Sequence, residues 1–413
     1  MPDSPTATCE DVIAGHDAWM TGNYPRWPVV MQRGLGAELW DDQGDRYIDL
    51  FAGFGAGLLG HCHPDVVAAV SDQAQQLWHV GNLMHTAPQV RLARAISEAG
   101  FGGKSFFCHS GADANEAALK LARLFGNAHP GPAGPRRGVI AATLSFHGRS
   151  FGTMPATGQP KVREGFEPLQ ESFTHVPFGD LDAVRSAVGD DTVAIMVEPI
   201  QGEGGVVVPP DDYLPGLRSL CDEHDLLLIC DEVWTGVGRT GRYFAHQHWL
   251  DSDHAPDLMT LAKGVGAGLP VGVMCAHERV AGLFDFHEQG RVTHATTLGG
   301  NCLSMAAAAA VFEVIARDSL TERAAELGDY ITQRLTGIID RSMLQAVRGR
   351  GLFLGLQLAE GSDGADVVTR CRERRVLINA TQGDVLRLAP PLTLERGVLD
   401  EGLDVLESVL CGE

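Results

Sequence analysis

Short, continuously apolar runs alternate with amphipathic segments through the middle of the chain, and this alternation limits the fold more than any other feature. The runs "KSFFCHS" (104–110), "GVIAATL", "VAIMVEPI" (193–200), "LLLICDEV" and "PDLMTLAKG" (256–264) read as strands. A strand that is apolar at every position, rather than at alternate ones, has both faces covered. After the first run, "ADANEAALKLARLF" places Ala118, Leu121, Ala122 and Phe125 on one helical face. The pattern predicts an α/β domain with a mostly parallel sheet flanked by helices. The alanine-rich "NCLSMAAAAAVFEVIA" (301–316) reads as a long helix. Beyond it, "GRGLFLGLQLA" and "RVLINATQGDVLRLAPP" read as strands of a smaller α+β unit. Residues 59–305 are thus expected to form the large domain and 306–413 the small one. Residues 1–58, with "AELWDDQGDRYIDL" as a hairpin, are expected to pack with the small domain.

At 413 residues the chain suits two domains or one large elaborated one. Its net charge of −21 argues against nucleic acid and anionic membrane surfaces as partners. It has no run of eighteen apolar residues, and "MPDSPTATCEDV" at the N-terminus lacks both a basic and an apolar targeting region. The nine cysteines show no paired spacing, as expected for reduced thiols in the cytoplasm.

Only four of the 32 basic residues are lysines: Lys104, Lys120, Lys161 and Lys263. Lys263 follows an apolar strand and precedes the Gly-rich "GVGAG". It reads either as a strand-end lysine reaching to water or as a desolvated amine nucleophile. In "HSGADANEAALK", Ser110 can cap a helix, with Asp113 placed as in a capping box and Gly111 allowing close backbone approach. Such a helix N-terminus can take a phosphate, although most capped helices bind nothing. Phe146 in "SFHGRS" could stack on a flat ring or belong to the core. Asp231 ends the strand "LLLICDEV", and a buried carboxylate is costly without a partner. Together these are the parts of a pyridoxal phosphate site, in which a carboxylate keeps the pyridine nitrogen protonated.

Two other motifs lead nowhere. "GAGLLG" (55–60) fits GxGxxG, but the next helix is expected at Pro64, so the third glycine stands outside it and no dinucleotide fingerprint exists. "HCH" (61–63) has no second ligand cluster following it, and no metal is expected.

The ordered motifs "NYPRWPVV", "LGHCHPDVV", "SGADANEAALKLAR", "FHGRS", "EPIQGEGG", "DEVWTGVGRTG", "TLAKGVGAGLP", "HATTLGGN" and "VLRLAPPL" resemble the class III aminotransferases of the ornithine/acetylornithine type. The matching segments run from near Asn23 to about Leu392. The resemblance implies the fold-type I architecture of pyridoxal phosphate enzymes and a homodimer with sites shared across the interface. It implies that Lys263 binds the cofactor covalently and moves the proton, and that Asp231 pairs with the ring nitrogen. Val233 and Phe146 would cover the two ring faces, with His147, Glu198 and Trp234 also around the cofactor. Ser110, Gly111 and Ala112 would hold the phosphate, with Thr297 from the partner subunit. Arg149 is implied for a distal carboxylate and Arg387 for an α-carboxylate, with Glu203 masking Arg387 when an ω-amine is bound. Tyr24 and Phe54 would line the substrate tunnel.

The sequence departs from the family at three places. Ala112 stands where Thr is usual, Trp234 where Gln is usual, and Met84 (beside Asn82 and His85) where acetylornithine enzymes often carry an aromatic. The function implied is transfer of an ω-amine from an ornithine-like donor to an oxo acid such as 2-oxoglutarate. The alternatives are transamination of a specialised biosynthetic intermediate, racemisation with the same cofactor, or a non-catalytic binding protein. Intact Lys263 and Asp231 argue against the last.

Overall fold

The computed structural model describes residues 9–413. Residues 1–8, most of the stretch searched for a targeting segment, lie outside the described residues. Seven strands form the central sheet: β1 Lys104–Cys108, β2 Gly138–Ala142, β3 Phe173–Val176, β4 Thr192–Val197, β5 Leu227–Asp231, β6 Leu258–Leu261 and β7 Gly272–Ala276. Their order is β1-β7-β6-β5-β4-β2-β3. β7 is antiparallel to both neighbours and every other pairing is parallel.

The continuous apolar runs are explained by cores on both faces of this sheet. Met196, Leu227 and Ile229 pack with Ala118, Leu121 and Phe125 of helix α1 (Gly111–Ala128). Their alternates Ile195, Val197, Leu228 and Cys230 pack with Leu214, Leu217 and Leu220 of the helix Tyr213–Glu223. Helix α2 (Cys302–Arg317) buries Ala306–Ala310 and lies against the helices Pro64–Ala74 and Ala87–Ala99, whose approach its small side chains permit. The region 127–138 begins within α1, which continues to Ala128, so the loop is shorter than expected.

The hairpin Glu38–Asp41/Arg46–Asp49 forms as expected, and Arg46–Asp49 pairs in parallel with Val376–Leu377 from far along the chain. A second, antiparallel sheet joins Leu344–Arg350, Phe353–Leu358, Val385–Leu388 and Asn379–Thr381. In it Asn379 and Arg387 are cross-strand partners. No helix of the described residues is long and apolar enough to cross a membrane. The helix after "GAGLLG" starts at Pro64, beyond the turn through His61–His63. His61 bonds Asp49 at 2.9 Å, and among the described residues no group of three His, Cys, Asp or Glu could hold a metal ion.

Because β7 alone runs against the others, the carboxyl ends of the other six strands gather on one edge of the sheet. The residues just beyond those ends include Ser110, Phe146, Glu198 and Lys263, with Asp231 the last residue of β5. A crevice outside the carboxyl ends of parallel strands is where open α/β sheets bind ligands.

Candidate active site

A cavity of about 410 Å³ opens at this edge. Asp231 sits in its wall, 3% exposed, and its burial is offset by hydrogen bonds. Oδ2 accepts from Asn115 Nδ2 at 2.7 Å and contacts His147 Nδ1 at 2.8 Å, while Oδ1 accepts from the Val233 N–H at 3.0 Å. Asn115 is fixed in turn by the Thr260 hydroxyl, which donates to its Oδ1 at 2.7 Å, and by its own bond to the His147 carbonyl at 2.8 Å. The carboxylate is therefore aimed from three elements: the end of β5, the first turns of α1 and the loop after β2. His147 Nε2 is buried and has no partner.

Ser110 caps α1 by accepting from the Asp113 N–H at 3.2 Å. The expected capping box is altered. The Asp113 carboxylate takes the Ser110 hydroxyl at 3.0 Å rather than the Ser110 N–H. Ser110, Gly111 and Ala112 line the cavity, so the free N–H groups of the first helical turn and the helix dipole suit an anion there. A Cβ on Gly111 would lie 2.8 Å from Val233 Cγ1, so the close packing of Val233 also calls for glycine there.

Phe146 and Val233 also line the cavity. Glu198, buried beside them, accepts from the Phe146 N–H at 3.0 Å and the Gly202 N–H at 2.9 Å. Burial pushes its carboxyl up to about 7, and the nearby Asp231 charge adds to the rise. Lys263 lies two residues past the end of β6, in a helical turn with φ +47, so the expected strand stops earlier than the sequence pattern suggested. Burial pushes its amine down to about 8 against the opposing pull of Glu203, Asp231 and Glu198. Lys104, Lys120 and Lys161 are exposed.

Arg387 is 2% exposed and held on several sides. Nη1 pairs with Glu203 Oε1 at 2.8 Å, Nε donates to Asn379 Oδ1 at 3.0 Å, and Nη1 also reaches the Gly202 carbonyl at 3.4 Å. Burial lowers its pKa, and the Glu203 carboxylate opposes that. Arg149 lines the cavity, exposed, with its guanidinium carbon 5.7 Å from the Phe146 ring centroid. Glu203 and Trp234 complete the predicted residues that line the cavity.

Four predicted residues lie outside that lining in the single chain: Arg387, Phe54, Tyr24 and Thr297. Phe54 is half exposed and packs on Phe51, ring centroids 4.8 Å apart, with Trp234 at 6.4 Å. Tyr24 and Thr297 are exposed. Sequence reasoning missed Asn115 and Asn379. Asn115 did leave a signal: it is a polar residue in the otherwise apolar face Ala114, Ala118, Ala122 of α1. Asn379 left none, because its role depends on strand register.

A helix N-terminus, an amine, an aromatic and an aliphatic wall, and a hydrogen-bonded carboxylate make a donor set that fits a phosphorylated pyridine aldehyde. The whole architecture agrees. Residues 20–410 match the family aminotransferase class-III, and the chain belongs to the class III aminotransferases, whose chemistry depends on pyridoxal phosphate. Over 402 residues it is 43% identical to the acetylornithine aminotransferase of Methanothermobacter thermautotrophicus, spanning 97% of this chain and 98% of that one. The ornithine aminotransferase of Toxoplasma gondii, whose structure has partial occupancy of PLP at the active site, superposes with a TM-score of 0.91 at 30% identity, covering 99% and 96% of the two chains. The N-acetylornithine aminotransferase of Stenotrophomonas maltophilia K279a gives a TM-score of 0.81 at 34% identity, covering 97% and 98%.

Proposed function

We propose that this aminotransferase moves the terminal amino group of an ornithine- or N-acetylornithine-like donor to an oxo acid such as 2-oxoglutarate, by a ping-pong cycle. It acts as a cytoplasmic homodimer on small molecules. Pyridoxal phosphate, when bound, would supply the electron sink and the amine-carrying aldehyde that the reaction needs. Ser110, Gly111 and Ala112 would hold its phosphate, helped by Thr297 of the second subunit, and Phe146 and Val233 would cover its ring. Asp231, aimed by Asn115 and His147, would face the ring nitrogen and hold a proton there. Lys263 would take the proton from the amine-bearing carbon of the donor in the first half-reaction and deliver one to the carbonyl-derived carbon of the acceptor in the second.

The observation that carries the donor assignment is the ion pair between Glu203 and Arg387 at 2.8 Å. A guanidinium so engaged does not attract an α-carboxylate, so an amine at the far end of the donor enters first. When the oxo acid binds, its α-carboxylate takes Arg387 from Glu203 and its distal carboxylate uses Arg149, which has no ion pair among the described residues. Tyr24 and Phe54 guide the chain of the donor into the cavity.

A panel of ω-amine and α-amine donors, each scored for loss of the cofactor's visible absorbance in a single turnover, tests this. N-Acetylornithine or ornithine should react fastest. A protein that reacts faster with α-amino donors lacking a terminal amine would overturn the donor assignment. Lys263→Ala should abolish turnover while the far-UV circular dichroism is unchanged. Retained activity would remove Lys263 from the mechanism.

A further inference from the structure

The Lys263 amine makes no hydrogen bond or ion pair among the described residues. What it lies against is the indole of Trp234, with Nζ 3.8 Å from the ring centroid. The same side chain carries a second cation, the Arg387 guanidinium carbon, 4.6 Å from its ring centroid. Trp234 is 6% exposed and wedged in place. A Cβ on Gly55 would stand 2.5 Å from its Nε1, and one on Gly202 would stand 2.6 Å from its Cε3. Phe353 packs on it at 5.2 Å between ring centroids. The ring cannot withdraw from the cavity by sliding toward either backbone. Its one polar atom is turned into that wall, since Nε1 is buried against Gly55 without a hydrogen-bond partner. The indole thus presents its π face, and not its donor, to Lys263.

We propose that Trp234 is a positioning residue for the reacting amine: its π face seats the free Lys263 ammonium and favours the charged form. The assignment rests on reading Lys263 as the reacting amine. Burial works the other way, disfavouring the charge, and the groups facing Lys263 are Glu203, Asp231 and Glu198 on the acidic side and Arg387 on the basic side. The acids and the arginine are shared with substrate and cofactor, so their influence changes as ligands come and go. A cation over a ring face in a desolvated site is stabilised by a contact that a saturated side chain cannot supply. The backbone at Lys263 is left-handed, φ +47, a conformation that a lysine adopts only when its surroundings impose it.

The test compares Trp234→Phe with Trp234→Leu. Both shrink the side chain and both are apolar, but only phenylalanine keeps a π face. The full-length protein, stripped of cofactor, is pulsed with an amine-acylating ester across a pH series, and each lysine is quantified by peptide mass spectrometry. The exposed Lys104, Lys120 and Lys161 serve as internal references. Easier access in either variant changes the plateau rate, so the midpoint of the rate–pH curve is the readout. Trp234→Leu should lower the Lys263 midpoint by about one pH unit, a tenfold loss of proton affinity. Trp234→Phe should lower it by less than half as much. In the cofactor-loaded enzymes, the pH midpoint of the single-turnover donor reaction should move in the same order.

Equal shifts in the two variants would overturn the proposal. So would a midpoint that rises in Trp234→Leu, which would mean that hydration of an enlarged cavity outweighs the ring. A Leu-specific fall in a protein that transfers no terminal amine would support the assignment and instead remove the donor reading.

Discussion

Glu203→Ala should separate the two half-reactions, because the one side chain among the described residues that Glu203 pairs with directly is Arg387, while its effect on Lys263 is felt in both. Arg387 would lose the carboxylate 2.8 Å from Nη1 and keep Asn379 at 3.0 Å from Nε and the Gly202 carbonyl at 3.4 Å. The guanidinium should therefore stay in place, freed rather than displaced. Glu203 is about one-quarter exposed, with a side-chain accessibility of 27%, so the carboxylate it offers is partly screened and the pair lies at the modest end of charge-assisted bonds. Taking ~1.5–3 kcal/mol for such a bond, the α-carboxylate of an incoming amino acid would recover that much by binding Arg387 in the variant. The ratio of kcat/KM for glutamate over an ω-amine donor should then rise about ten- to a hundredfold. Stopped-flow absorbance of the cofactor, with each donor in turn and no acceptor present, reads the ratio directly. Arg387→Ala should show the complementary pattern, slowing the oxo-acid half-reaction more than the amine half-reaction. Equal losses with both donors in Glu203→Ala would refute the reasoning, because a pair that only braces the fold cannot discriminate between them.

Glu198→Gln tests the buried acid. A carboxyl whose folded-state pKa is raised to about 7 stabilises the fold fully below its unfolded pKa and loses that contribution as pH rises through 7. The cofactor-free wild type should therefore lose up to ~3 kcal/mol relative to Glu198→Gln between about pH 5 and pH 8, by urea unfolding, and parallel curves would contradict it. Asn115→Leu removes the 2.7 Å bond to Asp231 and strands the Thr260 hydroxyl, and should cost ~1–3 kcal/mol in the same assay. An unchanged midpoint would mean that His147 and the Val233 N–H suffice to hold Asp231. Thr297→Ala should weaken cofactor retention, and mixing it with Lys263→Ala should restore activity in hybrid dimers that keep one intact site; no restoration would contradict a shared site.

Much of the fold was legible because burial on two faces leaves an unmistakable trace. In β4 and β5 every residue is buried, and alternate side chains serve different cores. A continuous apolar run followed by a helix is all that a parallel strand needs to announce. The N-terminal hairpin was legible for a different reason: "DDQGD" supplies its turn, and Gly44 adopts the positive φ (+83) the turn needs. The end of β6 was less legible. "MTLAKG" looks like uninterrupted strand, but the chain leaves the sheet after Leu261 and turns into the left-handed conformation at Lys263. Nothing in local propensity favours φ +47 in a lysine, so the sequence pattern overruns the strand where the backbone is most unusual.

The site divides along the same physical line. Asp231, Lys263 and Ser110 could be found from sequence because each stands at or just past the end of a recognisable element, where a polar residue is conspicuous against its apolar neighbours. Their supports could not be found that way. Asn379 reaches Arg387 because strand register places the two opposite each other, and register is set by pairings between segments far apart in sequence. His147 reaches Asp231 across 84 residues, from a loop whose path depends on packing against Thr157, which accepts the His147 N–H at 3.0 Å. Trp234 is the sharpest case. From its sequence an indole two residues beyond Asp231–Glu232 reads as a bulky replacement near the cofactor, with a donor looking for an acceptor. Only the backbones of Gly55 and Gly202, brought in from two other loops, turn that donor into the wall and leave the ring face toward Lys263. Which atom of a side chain a reacting group meets is decided by what stands behind that side chain, and that is a property of the fold.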